Sequence, residues 1–157
     1  MSSNEHPYAL ELEWRGDLGH GTSTYEGYSR EHLIRMAGKP DLIATADPTF
    51  RGDAALHNPE DLLLAALSGC HLLTYLALCA RARINVTSYR DQASGTLFLT
   101  KDGGGHFTEV VLRPEVVVAE DRMVEKARSF HGEVHKYCFI ARSVNFPVRC
   151  EAVVRVM

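Results

Sequence analysis

Apolar and polar positions alternate at the start of the chain, where Tyr8, Leu10, Leu12 and Trp14 are interleaved with Glu11 and Glu13. That period of two is the mark of a half-buried strand. A turn follows at Arg15-Gly16-Asp17-Leu18-Gly19-His20-Gly21, and Thr22 to Tyr28, rich in β-branched and aromatic residues, is expected to return as the second strand of a hairpin. The pattern from Arg30 to Met36 fits helix or strand. Ile43 to Phe50 is expected to be extended and to run into Arg51-Gly52-Asp53.

From Asn58 onward the pattern changes character. Asn58 suits an N-cap, Pro59 suits the first helical position, and Glu60 and Asp61 complement the positive end of a helix. The run from Leu62 to Ala80 is dominated by Leu and Ala, and Arg81 and Arg83 place cations at its carboxyl end before Ile84-Asn85-Val86 turns extended. A long central helix is predicted. It is long enough to raise the question of a membrane span, but Ser68, Gly69, His71 and Thr74 within it and strand patterns on both sides favour a helix buried inside protein.

Strands are then expected over Val86 to Asp91, Gly95 to Lys101 and Phe107 to Ala119, forming a meander with Asp102-Gly103-Gly104-Gly105 as a hairpin loop. Met123, Ala127, Phe130, Val134 and Tyr137 or Cys138 recur at helical spacing, so a second, amphipathic helix is predicted with Cys138 on its buried edge. Val148, Cys150, Ala152, Val154 and Val156 alternate with Arg149, Glu151 and Arg155, which gives a closing strand. The pattern contains no repeat or linker. The expectation is a single α+β domain over 1–157, with antiparallel sheet packed around a central buried helix.

Composition narrows the function. With 157 residues and 45% hydrophobic content, one domain with a sizeable core is expected. A formal charge of -3 argues against a polyanion-binding surface, so no nucleic-acid partner is expected. The amino terminus lacks the basic start and apolar core of a secretory signal, which makes the cytoplasm the expected location. Four cysteines are too few for a disulfide scaffold. Any disulfide here is expected to be transient and chemical.

Cys70 and Cys138 lie on the two predicted helices, and packing of those helices is able to bring the sulfurs together; the spacing alone equally allows two small buried hydrophobes. Cys79 and Cys150 fit the second description, at the far end of the first helix and on the inward face of the last strand. A metal reading competes with thiol chemistry. His131, His135 and Cys138 stand at i, i+4 and i+7, a three-ligand face for zinc to which Cys70-His71 is able to add a fourth donor. His131-Gly132-Glu133-Val134-His135 is not a metalloprotease helix, because Gly132 occupies the place of the glutamate that follows the first histidine. His57, His71 and His106 are expected to be structural, with His71 placed to line a pocket beside the thiol.

The segment Asn58-Pro59-Glu60-Asp61-Leu62-Leu63-Leu64-Ala65-Ala66-Leu67-Ser68-Gly69-Cys70 resembles the signature of the OsmC/Ohr family, the osmotically inducible and organic hydroperoxide resistance proteins. His135-Lys136-Tyr137-Cys138 matches the family's second cysteine position. The resemblance implies a cofactor-free, metal-free peroxidase in which a Cys70 thiolate attacks an organic hydroperoxide and Cys138 resolves the resulting sulfenic acid. It implies a dithiol reductant, of which a lipoylated protein is one candidate, and an intertwined homodimer with two sites at its interface. An arginine activates the thiol in that scheme and Glu60 orients the arginine.

Two positions depart from the family pattern. Cys138-Phe139 stands where Cys-Pro is usual, and Thr49-Phe50-Arg51-Gly52 stands where an arginine normally precedes Phe-x-Gly. Arg51, two residues along an expected strand, is the first candidate for the activating cation, ahead of Arg15 and Arg30. Glu60 and Cys70 on one helix are about 15 Å apart along its axis, so their cooperation requires a subunit boundary. A non-catalytic relative that binds a small apolar or thiol-reactive ligand and a His/Cys metal protein are the alternative readings.

Overall fold

A computed structural model describes residues 4–157. Two compact units arise, residues 1–62 and 63–157, and the long helix starts in the first and runs on into the second.

In the first unit, β1 (Glu11–Trp14), β2 (His32–Arg35) and β3 (Leu42–Ala44) form an antiparallel sheet in the order β1-β2-β3. Trp14 pairs with His32 and Leu33 with Ile43. The return strand is therefore β2, and Thr22 to Tyr28 is a looped excursion. Its backbone closes on itself at Ser23 N–H to His20 C=O and Gly27 N–H to Thr24 C=O. Asp17 Oδ1 accepts from the N–H groups of Gly19 and Gly21, both at 2.8 Å. Arg30 holds the other side by donating to the carbonyls of Tyr28 and Tyr25 while its guanidinium lies over both rings. These local bonds satisfy groups that a ladder would otherwise use.

The expected extended segment over Ile43 to Phe50 is also shorter than predicted. After Ala44 the chain makes a 3-10 turn at Pro48–Phe50, capped by Asp47 Oδ1 on Thr49 N–H at 2.7 Å, and Arg51 leaves it with φ 67°. A side chain at Gly52 would collide with the Ala46 carbonyl, since a Cβ there falls 1.6 Å from that oxygen.

Helix α1 (Pro59–Arg81) begins where the sequence placed it. Asn58 Oδ1 accepts Asp61 N–H at 2.8 Å and Asp61 Oδ2 accepts Asn58 N–H at 3.2 Å, a reciprocal cap worth on the order of 1 kcal/mol. It ends in a left-handed Arg83 (φ 59°), with Ile84 N–H bonded to Cys79 C=O.

In the second unit β4 (Val86–Asp91), β7 (Pro114–Val118) and β9 (Val153–Val156) form one sheet, and β5 (Ser94–Leu99), β6 (Gly105–Leu112) and β8 (Val148–Cys150) form another. The two are halves of one three-stranded ribbon. Each of its strands is broken at the same level, so the single strands expected over Phe107 to Ala119 and Val148 to Val156 are each two, and β4 to β6 is not a simple meander. Pro114 withholds a ladder N–H at the corner. Asp91 fastens that corner, taking Arg113 N–H on Oδ1 at 2.7 Å and the Ser68 hydroxyl of α1 on Oδ2 at 2.5 Å. The expected hairpin loop between β5 and β6 is present.

Helix α2 (Val124–Val134) carries Ala127, His131 and Val134 on its buried side. One core cluster joins Tyr75 and Cys79 of α1 to Val116, Val118, Ala127 and Val134; a second joins Leu67 to Val110 and Leu112. Only a stripe of α1 is covered within a single chain. Leu67, His71, Tyr75 and Cys79 are buried at four-residue intervals, whereas Leu73 is 68% exposed. The helix is also long and apolar enough to cross a bilayer by length and composition.

Candidate functional site

Cys70 is half-buried on the exposed side of that stripe, and Cys138 is buried four residues beyond the end of α2, in the turn that follows it rather than on the helix as expected. The turn is fixed from both sides: Cys138 N–H bonds Val134 C=O at 2.9 Å, and Cys138 C=O accepts Arg142 N–H at 3.1 Å. Cys70 packs against the buried cluster that contains Cys138, and the two thiols are near enough to interact electrostatically. Burial, and then the neighbouring Cys70 side chain, raise the Cys138 pKa, while the backbone N–H groups of Ala141 and Ile140 pull it the other way. Cys138 therefore keeps its proton at neutral pH.

A second constellation lies one residue along α1. His71 Nε2 and His131 Nδ1 are 2.9 Å apart, and the Cys150 sulfur, at the end of β8, is 3.7 Å from the first and 3.8 Å from the second. His131 is stacked on Tyr75, centroids 4.0 Å apart and planes 12° from parallel. Burial lowers the pKa of His71 to about 4 and, together with repulsion from His71, that of His131 to about 3. Both rings are neutral near pH 7. Burial pushes the Cys150 thiol up to about 12. The three side chains line a cavity of about 370 Å³ that Cys138 and His135 also border.

The ligand face expected from His131, His135 and Cys138 does not form. Helix α2 stops at Val134, so the i, i+7 relation is lost, and His131 turns instead to His71 and Cys150. The signal for this cluster was present in the pattern. His71 sits midway between the core positions Leu67 and Tyr75, and His131 lies one helical turn from both Ala127 and Val134, so both imidazoles occupy inward-facing positions.

The other two expected site residues belong to the first unit. Arg51 does not lie on a strand; it is exposed and ends the 3-10 turn. Glu60 is half-buried and borders a cavity with Arg30, Trp14, Tyr28 and Phe50. Among the described residues neither Arg51 nor Glu60 forms an ion pair. Arg30 spends both terminal nitrogens on backbone carbonyls, whereas among the described residues the Arg51 guanidinium has no ion-pair partner.

Two cysteines packed into one cluster, carried by a long apolar helix and the turn after a second helix beside a three-stranded ribbon, define a cysteine-bearing protein of the α+β class. Residues 52–152 match the family described as OsmC-like protein, and the chain belongs to that family. Over 95% of its length it superposes on all of an OsmC-like protein of unknown function from Vibrio cholerae, with a TM-score of 0.85 and 31% identity. The organic hydroperoxide resistance protein OhrB of Bacillus subtilis shares the fold, with a TM-score of 0.62 and 20% identity over 94% of this chain and 98% of that one. An uncharacterised Bacillus subtilis protein, YmaD, is 25% identical over 103 residues, covering 62% of this chain and 68% of that protein.

Proposed function

We propose that this protein is a thiol-dependent peroxidase that reduces organic hydroperoxides, with Cys70 as the peroxidatic and Cys138 as the resolving cysteine. The observation that supports the reading is the packing of Cys70 against the buried cluster that contains Cys138, across 68 positions of sequence. Cys70 attacks the distal oxygen of ROOH, the O–O bond breaks, and the alkoxide leaves as ROH after taking a proton. Cys70 is then a sulfenic acid. The Cys138 sulfur displaces its hydroxyl, water departs, and a Cys70–Cys138 disulfide remains for a dithiol to reduce. The role assignment follows the family resemblance, and the raised pKa of Cys138 is in keeping with it: a thiol that holds its hydrogen is a poor first nucleophile but a sufficient second one, because sulfenic acid is the more reactive electrophile.

The apolar stretch around Cys70, with Leu67, Leu72 and Leu76 nearby in sequence, favours alkyl over hydrogen peroxide. A homodimer is part of the proposal. Within one chain α1 and β5 leave Leu73, Leu97, Phe98 and Leu99 exposed, apolar side chains that a partner subunit would cover. In that dimer Glu60 and Arg51 of one subunit serve Cys70 of the other, Arg51 as donor to the peroxide and Glu60 as its bidentate anchor. The proposed setting is the cytoplasm, where a reduced thiol pair is maintained.

Mass spectrometry of the reduced chain before and after one equivalent of an alkyl hydroperoxide tests this reading. Loss of two hydrogens, mapped to a Cys70–Cys138 peptide pair, is expected. An unchanged mass, or a disulfide elsewhere, refutes it.

A further inference from the structure

The His71, His131 and Cys150 cluster takes no part in the peroxidase scheme. Its three donors come from three different elements, α1, α2 and β8, and two of the residues are buried. As a set of hydrogen bonds the cluster is poorly matched. A single hydrogen serves the His71 to His131 contact, the sulfur is at the long end of hydrogen-bond range from both rings, and His131 Nε2 is buried with no partner among the described residues. As a ligand set it is well matched. Tetrahedral zinc, with Zn–N of about 2.0–2.1 Å and Zn–S of about 2.3 Å, separates its donor atoms by roughly 3.3–3.6 Å. The observed edges are 2.9, 3.7 and 3.8 Å.

We propose that His71 Nε2, His131 Nδ1 and the Cys150 sulfur form a site for a borderline-soft divalent metal ion, Zn²⁺, with the fourth coordination position opening into the cavity that Cys138 and His135 border. Two imidazoles and one thiolate are the donors such an ion selects. Binding forms two Zn–N bonds and one Zn–S bond, and the Cys150 proton is released to solvent; no oxidation occurs. Tyr75, stacked on His131, fixes one ring, and the helix backbones fix the rest, so the ion meets an arranged site.

Cobalt(II) is the probe. The reduced full chain, titrated with Co²⁺, is expected to take up one ion per chain with tetrahedral d–d bands and a thiolate-to-cobalt charge-transfer band, and Zn²⁺ is expected to displace it. Cys150→Ser should lose the charge-transfer band and weaken binding by more than the roughly 10–100-fold that loss of an outer-shell partner costs. The double variant Cys70→Ser, Cys138→Ser should keep both. No uptake, a charge-transfer band that survives Cys150→Ser, or one that vanishes in the double variant overturns the site. If Cys150→Ser is unfolded by circular dichroism, the rise in Tm on adding Zn²⁺ decides instead. An equal rise in wild type and the double variant supports the site, and a rise that is absent in either refutes it.

Discussion

Cys70 and Cys150 are both half-buried thiols of the second unit, yet their neighbours differ in kind. Cys70 packs against the cluster that holds another cysteine, Cys138, and Cys150 faces two imidazole nitrogens. Sulfur beside sulfur allows two electrons to leave as a disulfide, while sulfur beside nitrogen offers lone pairs to a cation and no partner for condensation. Burial alone does not separate the two. What decides the chemistry of a thiol here is which atom the fold brings against it.

The sharpest way to break that contrast is Cys70→Ser. Thiol-dependent consumption of an alkyl hydroperoxide is expected to fall to the uncatalysed background, with circular dichroism unchanged; surviving turnover would make another cysteine the nucleophile and merge the two sites. Cys138→Ser comes next. It should consume about one equivalent of peroxide per chain and then stop, leaving a sulfenic acid that a dimedone-type reagent traps. Arg51→Ala is expected to lower the peroxidase rate roughly a hundredfold, the scale of losing one donor to a developing oxyanion. A rate within twofold of wild type would move the activating role to Arg30 or Arg15.

Alkylation sharpens the comparison on a smaller scale. A raised thiol pKa means that the thiolate appears only at higher pH, and burial raises both Cys79 and Cys138. Peptide mapping should therefore find both alkylated slowly at pH 7.5 and faster as the pH is raised. A Cys138 rate that does not rise with pH would remove the proton argument for its role. The smallest effect is that of Asn58→Ala, expected to cost about 1 kcal/mol in denaturant unfolding through loss of the cap on Asp61 N–H.

The helix start at Asn58-Pro59 was legible because capping is local chemistry, written in four consecutive residues. The pairing of Cys70 with Cys138 was legible only through the family resemblance, since 68 residues of chain separate them and no spacing rule spans that distance. Thr22 to Tyr28 misled because β-branched and aromatic residues predict extension only when a partner strand is within reach, and Asp17 and Arg30 hold that segment in turns. The kink in each ribbon strand was hidden as well. Alternation continues through Arg113 and Glu151, and the corner depends on Asp91, a residue distant in sequence that binds Arg113 N–H. The His71 and His131 part of the second cluster is foreshadowed by the zinc face that His71 is able to complete, but Cys150 is not, because the contact that brings it in crosses from β8 to both helices.

Cys70 and His71 are consecutive residues, about 100° apart around one helical turn. The thiol pair and the imidazole cluster therefore share a single rotational setting. That setting is locked at the start by the Asn58 and Asp61 exchange and, further along, by Ser68 on Asp91. A one-residue insertion or deletion between those anchors is consequently pleiotropic: it turns both sites out of register in one step.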